Sequence, residues 1–309
     1  MRILVFGGSG FLGGRLVPYL RGRGHEVLAP RSAEMDLTER HAPRPEHRGI
    51  DVAIHAAALY GGMPFDIANA HRILTTNMRM NTNVFEYCDA ISARHLITIG
   101  SACAYPGYVD KDFTEDDLFT GPLHETVACH GFTKLAMVIA HRVFWDSRKL
   151  PGTHLLPANL YGPGDVYTIE RSHVVAALIR KYTDAMAQGG DVHLMGDGSP
   201  IREFLYIDDL VDVVALAAER EPDGVQLLNV GTGVGHTIRE LAEVIAARLG
   251  FQGRTHWDPA TPNGTQRKVM VTERLRETLH PATPLSLEEG IAETLDWYMA
   301  DKAAADSRR

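Results

Sequence analysis

Four side chains that can exchange protons lie on two short stretches of the chain. Ser101 and Cys103 follow the apolar run His95–Gly100, which predicts a buried strand. His130 and Lys134 are four residues apart in a stretch with helical periodicity, so both side chains lie on one face of the predicted helix. A histidine can transfer protons near neutral pH, although a neighbouring lysine charge opposes its protonated form. The two stretches predict a site for acid–base chemistry.

A second candidate site is a glycine-rich turn near the N-terminus. Gly7, Gly10 and Gly13 lie between the apolar run Arg2–Phe6 and a predicted helix over Phe11–Arg23. The first glycine permits a tight turn, the second lets the backbone approach a pyrophosphate, and the third allows close packing of helix on strand. Glycine turns also occur without ligands, but the strand–turn–helix context favours a dinucleotide at the helix N-terminus. The predicted contacts here are Gly7, Gly10, Phe11, Leu12 and Gly13.

The end of the second predicted strand, His25–Ala29, bears on the choice of nicotinamide cofactor. NAD-binding proteins usually place a carboxylate there, whereas this chain has no acidic residue between this strand and Glu34. Arg31 is able to pair with a 2′-phosphate, although a solvated surface arginine is the alternative. We therefore favour NADP(H) over NAD(H). Further predicted cofactor contacts are Asp36, Leu37, Ala56, Ala57, Ala58 and Lys134.

Strands that alternate with helices position these residues. Apolar runs at Asp51–His55 and Thr153–Pro157 predict further strands, and helices are predicted over Phe65–Ala90 and Val127–Arg148. The alternation predicts the α/β class, with a doubly wound parallel Rossmann sheet and right-handed crossovers.

A boundary near Leu160 divides the chain into two predicted parts. Residues 1–160 should form the cofactor-binding Rossmann domain, with a later segment of about 204–230 returning to it. Residues 161–309 should form mainly a smaller C-terminal α/β substrate lobe. The elements predicted in this half are His173–Ala187, Asp191–Met195, Ile207–Ala218, Val225–Asn229 and Ile238–Leu249.

Composition and charge exclude several classes of protein. The net charge of −8 argues against nucleic acid or an anionic membrane as a partner. No apolar run approaches the roughly 20 residues of a membrane span, and the chain starts with a strand and a glycine turn rather than a signal peptide. Three cysteines cannot form a disulfide framework. We expect a cytoplasmic protein without a metal site, and a frayed polar tail around Ala303–Arg309.

Several motifs, in order along nearly the whole chain, resemble those of the GDP-L-fucose synthase family. These extended short-chain dehydrogenases/reductases are 3,5-epimerases and 4-reductases of GDP-4-keto-6-deoxymannose. The resemblance implies a nucleotide-sugar substrate, GDP-linked, and a homodimer formed through the two long helices. The matching motifs are Ala56-Ala57-Ala58 with Gly61-Gly62, Ser101–Pro106, Asn159–Pro163, Ser172–Val174, Gly196–Gly198, Arg202–Phe204, Asn263–Thr265 and Arg267-Lys268.

The resemblance also implies roles for single residues of the reaction. Ser101 and Lys134 match the family's reductase serine and lysine. Cys103 matches the base that removes protons beside the keto group, and His173 matches the acid that returns them on the opposite face. The alternatives are a small buried hydrophobe at Cys103 and a capped surface histidine at His173.

Substrate contacts follow from the same resemblance. Asn159 matches a residue near the sugar, and Arg202 and Lys268 match contacts to the nucleotide diphosphate. Alternatively, Arg202 forms a local ion pair with Glu203. Three departures leave the nucleotide and the sugar, hexose or heptose, open: Lys181 in place of arginine, Met195 in place of tryptophan and Val271 in place of aspartate.

The position of the family's catalytic tyrosine is occupied by His130. Tyr60, Tyr105 and Tyr161 are near in sequence, but none has the tyrosine's spacing to Lys134. One interpretation is a C3 and/or C5 epimerase in which C4 reduction is lost or altered. The others are a complete epimerase/reductase with His130 as proton donor, and a catalytically silent NADP-binding sensor or scaffold. The intact base, acid and lysine favour an enzyme, with a slight preference for epimerisation.

Overall fold

The computed structural model describes residues 1–261 and 263–308. In chain order its strands are β1 (Arg2–Phe6), β2 (Glu26–Leu28), β3 (Val52–His55), β4 (His95–Ile99), β5 (Gly152–Pro157), β6 (Asn159–Tyr161), β7 (Val192–Met195), β8 (Ile201–Arg202), β9 (Phe204–Tyr206), β10 (Val225–Val230), β11 (His236–Thr237), β12 (Thr255–Asp258) and β13 (Arg267–Lys268). Its α-helices are α1 (Phe11–Gly22), α2 (Met63–Ala68), α3 (Ala70–Ala90), α4 (Ala128–Arg148), α5 (Val174–Gln188), α6 (Ile207–Ala218), α7 (Ile238–Leu249), α8 (Glu273–Leu279), α9 (Leu287–Ala300) and α10 (Lys302–Ser307).

A six-stranded parallel sheet in the order β2-β1-β3-β4-β5-β10 carries the functional loops. β1 and β4 are buried apolar runs because helices cover both faces of the sheet. The chain places β2 on one side of β1 and β3 on the other, so the strand order changes direction there. Ligands of such sheets bind at this point, beyond the carboxyl ends of the strands. The predicted doubly wound α/β fold is confirmed.

Separate apolar cores cover the two faces of the sheet. On one face, α1 and α6 pack against the strands through residues such as Leu16 and Val214. On the other face, α3 and α4 contribute Phe85 and Met137. None of the helices in the described residues is long and apolar enough to cross a membrane.

The C-terminal lobe has a third core, in which Ile179 of α5, Ile245 of α7 and Ile291 of α9 belong to one cluster. The chain leaves this lobe twice for the central sheet. First, β10 pairs with β5 and α6 packs on α1. Later, α8 buries Leu275 and Leu279 in the core of the first sheet face. The lobe is therefore interleaved with the Rossmann part.

Two of the predicted segments have a structure different from the prediction. The helix predicted over Phe65–Ala90 is divided into α2 and α3 at Asn69, which has non-helical φ and ψ angles of −116° and 19°. Its side-chain amide donates to the carbonyl of Phe65 at 3.0 Å, the local bonding by which asparagine competes with a helix. The tail is not frayed, since α10 buries Ala305 in the lobe core. Arg309 lies outside the described residues.

Four buried histidines lie in and beside the central sheet: His55, His95, His141 and His154. Each contacts one polar side chain through one ring nitrogen; the partners are Asn81 for His55 (3.0 Å), Thr153 for His95 (2.9 Å) and Thr98 for His141 and His154 (2.8 and 2.6 Å). Burial lowers the pKa of His55 and His95 to about 4 and that of His141 to about 3, and it lowers the pKa of His154 well below its ordinary value. All four imidazoles are therefore neutral at neutral pH.

These histidines predict acid-sensitive stability. Below about pH 6.5 the histidines of the unfolded chain bind protons, whereas the buried histidines of the native protein do not. Their contribution to the free energy of unfolding is therefore fully present above that pH and is lost as the pH falls toward about 4. His55 and His95, each with a pKa of about 4, each contribute on the order of 3 kcal/mol over this interval. Urea unfolding at pH 7.5 and 5.5 measures the fall. His95→Gln should show a fall about 1 kcal/mol smaller than the wild type, and exposed His71→Gln should show the wild-type fall. An identical pH dependence in His95→Gln and the wild type would contradict the prediction.

Candidate functional site

The glycine turn between β1 and α1 is packed too closely for side chains. Gly7 has a φ of +82°, and a Cβ atom there would lie 2.7 Å from the amide nitrogen of Ala57. A Cβ atom on Gly13 would lie 2.1 Å from the carbonyl oxygen of Gly7. Gly10 is the N-cap of α1, and within the described chain no side chain caps the helix. The first amides of α1 are thus available to an anionic ligand such as a dinucleotide pyrophosphate.

The loop after β2 begins beside this turn, since a Cβ atom on Gly8 would lie 2.8 Å from the Cβ atom of Ala29, and it carries Arg31. The side chain of Arg31 is exposed, and the structure gives it no ion pair within residues 1–261 and 263–308. The carboxylate of Asp36 accepts from the amide and hydroxyl of Thr38 at 2.9 and 2.8 Å, and these bonds lower its pKa. Leu37 packs against the apolar core on the sheet face that α3 and α4 cover. Within the described residues, the Arg31 side chain is therefore available to pair with a phosphate, whereas the Asp36 carboxylate is occupied by its hydrogen bonds to Thr38.

The acid–base residues come together where α4 packs on the loop after β4. The hydroxyl oxygen of Ser101 accepts from the amide of Cys103 at 3.1 Å, which closes a short turn. A Cβ atom on Gly131 would lie 2.2 Å from the carbonyl oxygen of Cys103, so only a glycine lets α4 approach this turn. One helical turn on, the Lys134 ammonium donates to the carbonyl of Ile99 at 2.7 Å.

Cations surround the Cys103 turn. Burial lowers the pKa of Lys134 to about 8, and the charge of Cys103 opposes this shift. Burial also lowers the pKa values of Arg202 and Lys268, again against the charge of Cys103. Arg202 and Lys268 lie opposite each other in the parallel pair of β8 and β13. The structure thus gathers three cations around one thiol, in a geometry that suits an anionic ligand.

Arg202 is not engaged by its neighbour in sequence. The carboxylate of Glu203 is buried and accepts from the amides of Gly233 and Met270 at 2.7 and 2.8 Å. The alternative of a local Arg202–Glu203 ion pair is therefore wrong. Asn159 lies beside them, with its side-chain amide donating to the carbonyl of Glu203 at 2.8 Å.

His130 and His173 lie on either side of Tyr60. The Tyr60 ring centroid is 5.4 Å from that of His173, in a stacked arrangement, and 6.3 Å from that of His130. His173 is half-buried at the N-cap of α5 but makes no side-chain cap bond, so the capped-histidine alternative is wrong. No role was predicted for Tyr60 from its sequence position; its one signal was its place directly before Gly61.

Both imidazoles are neutral at neutral pH. Burial is the main cause that lowers the pKa of His130 to about 3, and the positive charges of Lys134 and Lys268 act in the same direction. Burial lowers the pKa of His173 to about 4, with the charge of Arg171 adding to the effect. The expected opposition between Lys134 and protonated His130 is confirmed. The premise that His130 could donate with an ordinary histidine pKa is wrong in this environment.

The structure also places Lys181, a predicted substrate contact, and the other two departures from the family's residues, Met195 and Val271. Lys181 is exposed, two turns along α5 from His173, and its ammonium donates to the carbonyl of His193 on β7 at 3.0 Å. Met195 is 54% exposed at the end of β7. Val271 bonds through its backbone, its amide donating to the carbonyl of Phe113 at 2.8 Å.

Known proteins resemble this chain over almost its whole length. The model of the family described as "NAD dependent epimerase/dehydratase family" matches residues 3–231. "Probable GDP-L-fucose synthase 1" of Oryza sativa is 33% identical over 98% of this chain and 94% of its own. "GDP-L-fucose synthase" of Escherichia coli is 32% identical over 97% of both chains. The crystal structure of a GDP-L-fucose synthetase from Naegleria fowleri bound to NADP has a TM-score of 0.86, with 23% identity over 99% of this chain and 96% of that one.

Two adjacent glycines give a matched test of the turn. Gly13→Ala should weaken NADPH binding by at least about tenfold, because the new methyl group would force α1 away from Gly7. Gly14→Ala should bind NADPH as the wild type does, since a Cβ atom there meets nothing within 4 Å. Fluorescence titration with NADPH measures both variants. Equal affinities for the two variants would show that this turn does not hold the cofactor.

Proposed function

The chain belongs to the NAD dependent epimerase/dehydratase family, with GDP-L-fucose synthases among its homologues, and we propose that it is a cytoplasmic enzyme acting on a GDP-linked 4-keto sugar. The specific proposal is epimerisation at C3 and/or C5 through Cys103 and His173. The observation that carries it is the convergence of Ser101, Cys103 and Lys134 with the cations of β8 and β13.

The glycine turn and its surroundings fit NADP(H). The amides at the start of α1 would hold the pyrophosphate, and Arg31 would pair with the 2′-phosphate. By family resemblance, Lys134 binds the nicotinamide ribose. When bound, the reduced cofactor supplies a hydride for a ketone carbon. The related fucose synthetase with bound NADP supports this choice of cofactor.

The proposed epimerisation uses the acidity of carbons next to a ketone. A carbonyl at C4 delocalises the charge left when a proton is removed at C3 or C5, so a thiolate at Cys103 can act as the base. His173 would return a proton on the opposite face of the sugar. Arg202 and Lys268 would hold the diphosphate, with Asn159 near the sugar.

His173 can return a proton only if its imidazole becomes protonated when the substrate binds. With a pKa of about 4 the free imidazole is neutral at pH 7, and it has no proton that it readily gives up. A bound diphosphate and a developing enolate are both anionic, and nearby negative charge raises a histidine pKa. His173 therefore acts as an acid in the complex rather than in the free protein.

The environment of His130 favours a lost or altered reductase step. A proton donor for the C4 oxygen must be protonated at working pH, and His130, with a pKa of about 3 against about 4 for His173, needs the larger rise in pKa on substrate binding before it can donate. The complete epimerase/reductase with His130 as donor is therefore the second candidate. A silent NADP-binding protein is the third, and it does not account for a cysteine surrounded by buried cations.

An apolar stripe on α4 supports the proposed homodimer. Phe132, Ile139 and Val143 are 51%, 51% and 53% exposed and recur at helical spacing on one side of α4, which packs beside α3. A second copy would cover this stripe in a four-helix arrangement. Sedimentation velocity should give a dimer for the wild type and a monomer for Ile139→Asp. A monomeric wild type at micromolar concentration would exclude this arrangement.

The epimerase proposal predicts deuterium uptake without cofactor turnover. With GDP-4-keto-6-deoxymannose in deuterated water, the wild type should exchange protons beside the ketone. Cys103→Ser should lose at least about 100-fold in exchange rate while it still binds NADPH, because a hydroxyl is a far weaker acid than a thiol. His173→Asn should slow proton return on the opposite face. Exchange by Cys103→Ser at the wild-type rate would place the base elsewhere, and no exchange in the wild type would favour the silent protein.

The reductase step is tested by restoring a phenol. His130→Tyr should gain NADPH-dependent reduction of the same substrate, because Lys134 has the spacing to lower a phenol pKa. His130→Phe is the matched control and should show no such gain. Loss of NADPH absorbance measures both. A wild type that reduces briskly and collapses on His130→Phe would instead support the complete epimerase/reductase.

A further inference from the structure

The ring of Tyr60 is the shared neighbour of the two site imidazoles. It stacks on His173 at 5.4 Å with an interplanar angle of 26°, and it meets His130 at 6.3 Å with an angle of 46°. Neither imidazole has a side-chain hydrogen-bond partner among the described residues, and Nδ1 of His130 is buried without one. A histidine in an active site is usually oriented by a hydrogen bond to its second nitrogen. For His173, the stacked ring of Tyr60 takes the place of such a hydrogen bond.

The backbone around Tyr60 is fixed from two sides. On one side, the buried Asn77 of α3 bonds both the amide and the carbonyl of Leu59, at 2.7 and 2.9 Å. On the other side, the guanidinium of Arg171 donates to the carbonyl of Tyr60 at 3.3 Å. The backbone that carries the Tyr60 ring is therefore held by hydrogen bonds from both sides.

The same support joins Tyr60 to the segment that carries His173. The amide of Gly62 donates to the carbonyl of Arg171 at 3.0 Å. A Cβ atom on Gly62 would lie 2.4 Å from the carbonyl oxygen of Ser172, so the two backbones are in direct contact. Any shift of the Tyr60 loop would move the residue just before His173.

The hydroxyl of Tyr60 is an unsuitable proton donor. Burial raises its pKa, and the negative charge of Asp165 raises it further, against a smaller effect of Arg171. Among the described residues, no cation beside the Cys103 turn contributes to this pKa. The contact of Tyr60 with the two histidines that the structure shows is made by its ring.

We propose that Tyr60 is a positioning residue, whose ring fixes the orientation of the His173 imidazole and its separation from His130. The proposal rests on the proposed epimerase function, in which His173 returns a proton to one face of the sugar. A proton donor displaced by about 1 Å can cost roughly 100-fold in rate, so the constraint acts on turnover more than on substrate binding.

Two substitutions separate the ring from the hydroxyl. Tyr60→Phe keeps the stack and should retain kcat for deuterium exchange within about twofold, whereas Tyr60→Leu should lower kcat at least about tenfold with KM within about twofold. Tyr108→Leu is the matched control, since it removes a tyrosine ring stacked on His124 outside the proposed site, and it should keep both constants. NADPH titration of each variant confirms that the fold is retained.

NMR titration of the His173 ring proton, assigned with His173→Asn, gives a readout independent of turnover. In Tyr60→Leu the His173 pKa should rise from about 4 toward its ordinary value, because one face of the ring becomes open to water. It should stay unchanged in Tyr60→Phe.

Equal loss of kcat in Tyr60→Phe and Tyr60→Leu would overturn the proposal by placing the hydroxyl in the reaction. Wild-type kcat and an unshifted His173 in Tyr60→Leu would also overturn it. A wild type that exchanges no deuterium would refute the epimerase function, and the titration would then decide whether Tyr60 holds His173.

Discussion

The ammonium group of Lys134 is buried against the carbonyl oxygen of Ile99, and a buried charge is costly unless its surroundings compensate it. The compensation reaches beyond one hydrogen bond. Asn81 of α3 donates to the carbonyl of Thr133 and accepts from His55, which fixes α4 relative to the sheet. The charge of Lys134 in turn helps to keep His55 and His154 neutral. Burial is the main reason that these histidines stay neutral, and the Lys134 charge adds to it at His55 and His154, so the site and the acid sensitivity of the fold are linked through this side chain.

The site is assembled from parts of the chain that are far apart in sequence. The loop after β4 supplies Ser101 and Cys103, and α4 supplies His130 and Lys134. The C-terminal lobe reaches the same place through β8 and β13, whose pairing sets Arg202 beside Lys268. Because the chain passes back and forth between the lobe and the sheet, a substrate bound to these cations would lie against both parts of the protein. This arrangement suits a long ligand with an anionic middle.

Local patterns account for the parts of the fold that could be predicted. The bounds of α6 and α7 agree with prediction because their apolar periodicity is uninterrupted, and the glycine turn was recognised because backbone geometry requires it. The division at Asn69 was missed, since one asparagine inside an apolar pattern carries little signal. The two-residue strands β8 and β13 were missed because they are too short to show any period. Their residues were found only through family resemblance.

The protonation of the site was beyond sequence reasoning for a different reason. Burial is the largest cause of the lowered pKa of His130 and cannot be read from the sequence; of the charges that add to it, that of Lys134 is near in sequence, whereas Lys268 lies on β13. The contact of Tyr60 with both histidines likewise depends on tertiary packing. Residue types and spacing indicated which groups could react, and the packing decided their charge.

The lowered pKa of Lys134 has a chemical consequence of its own. With a pKa of about 8, a growing share of this side chain is a free amine as the solution becomes mildly alkaline. A free amine is a nucleophile toward carbonyl carbon, and desolvated lysines are the ones that form Schiff bases. A 4-keto sugar bound beside Ser101 would present such a carbonyl. Besides its place in the proposed proton chemistry, Lys134 therefore has the character of a nucleophile at mildly alkaline pH.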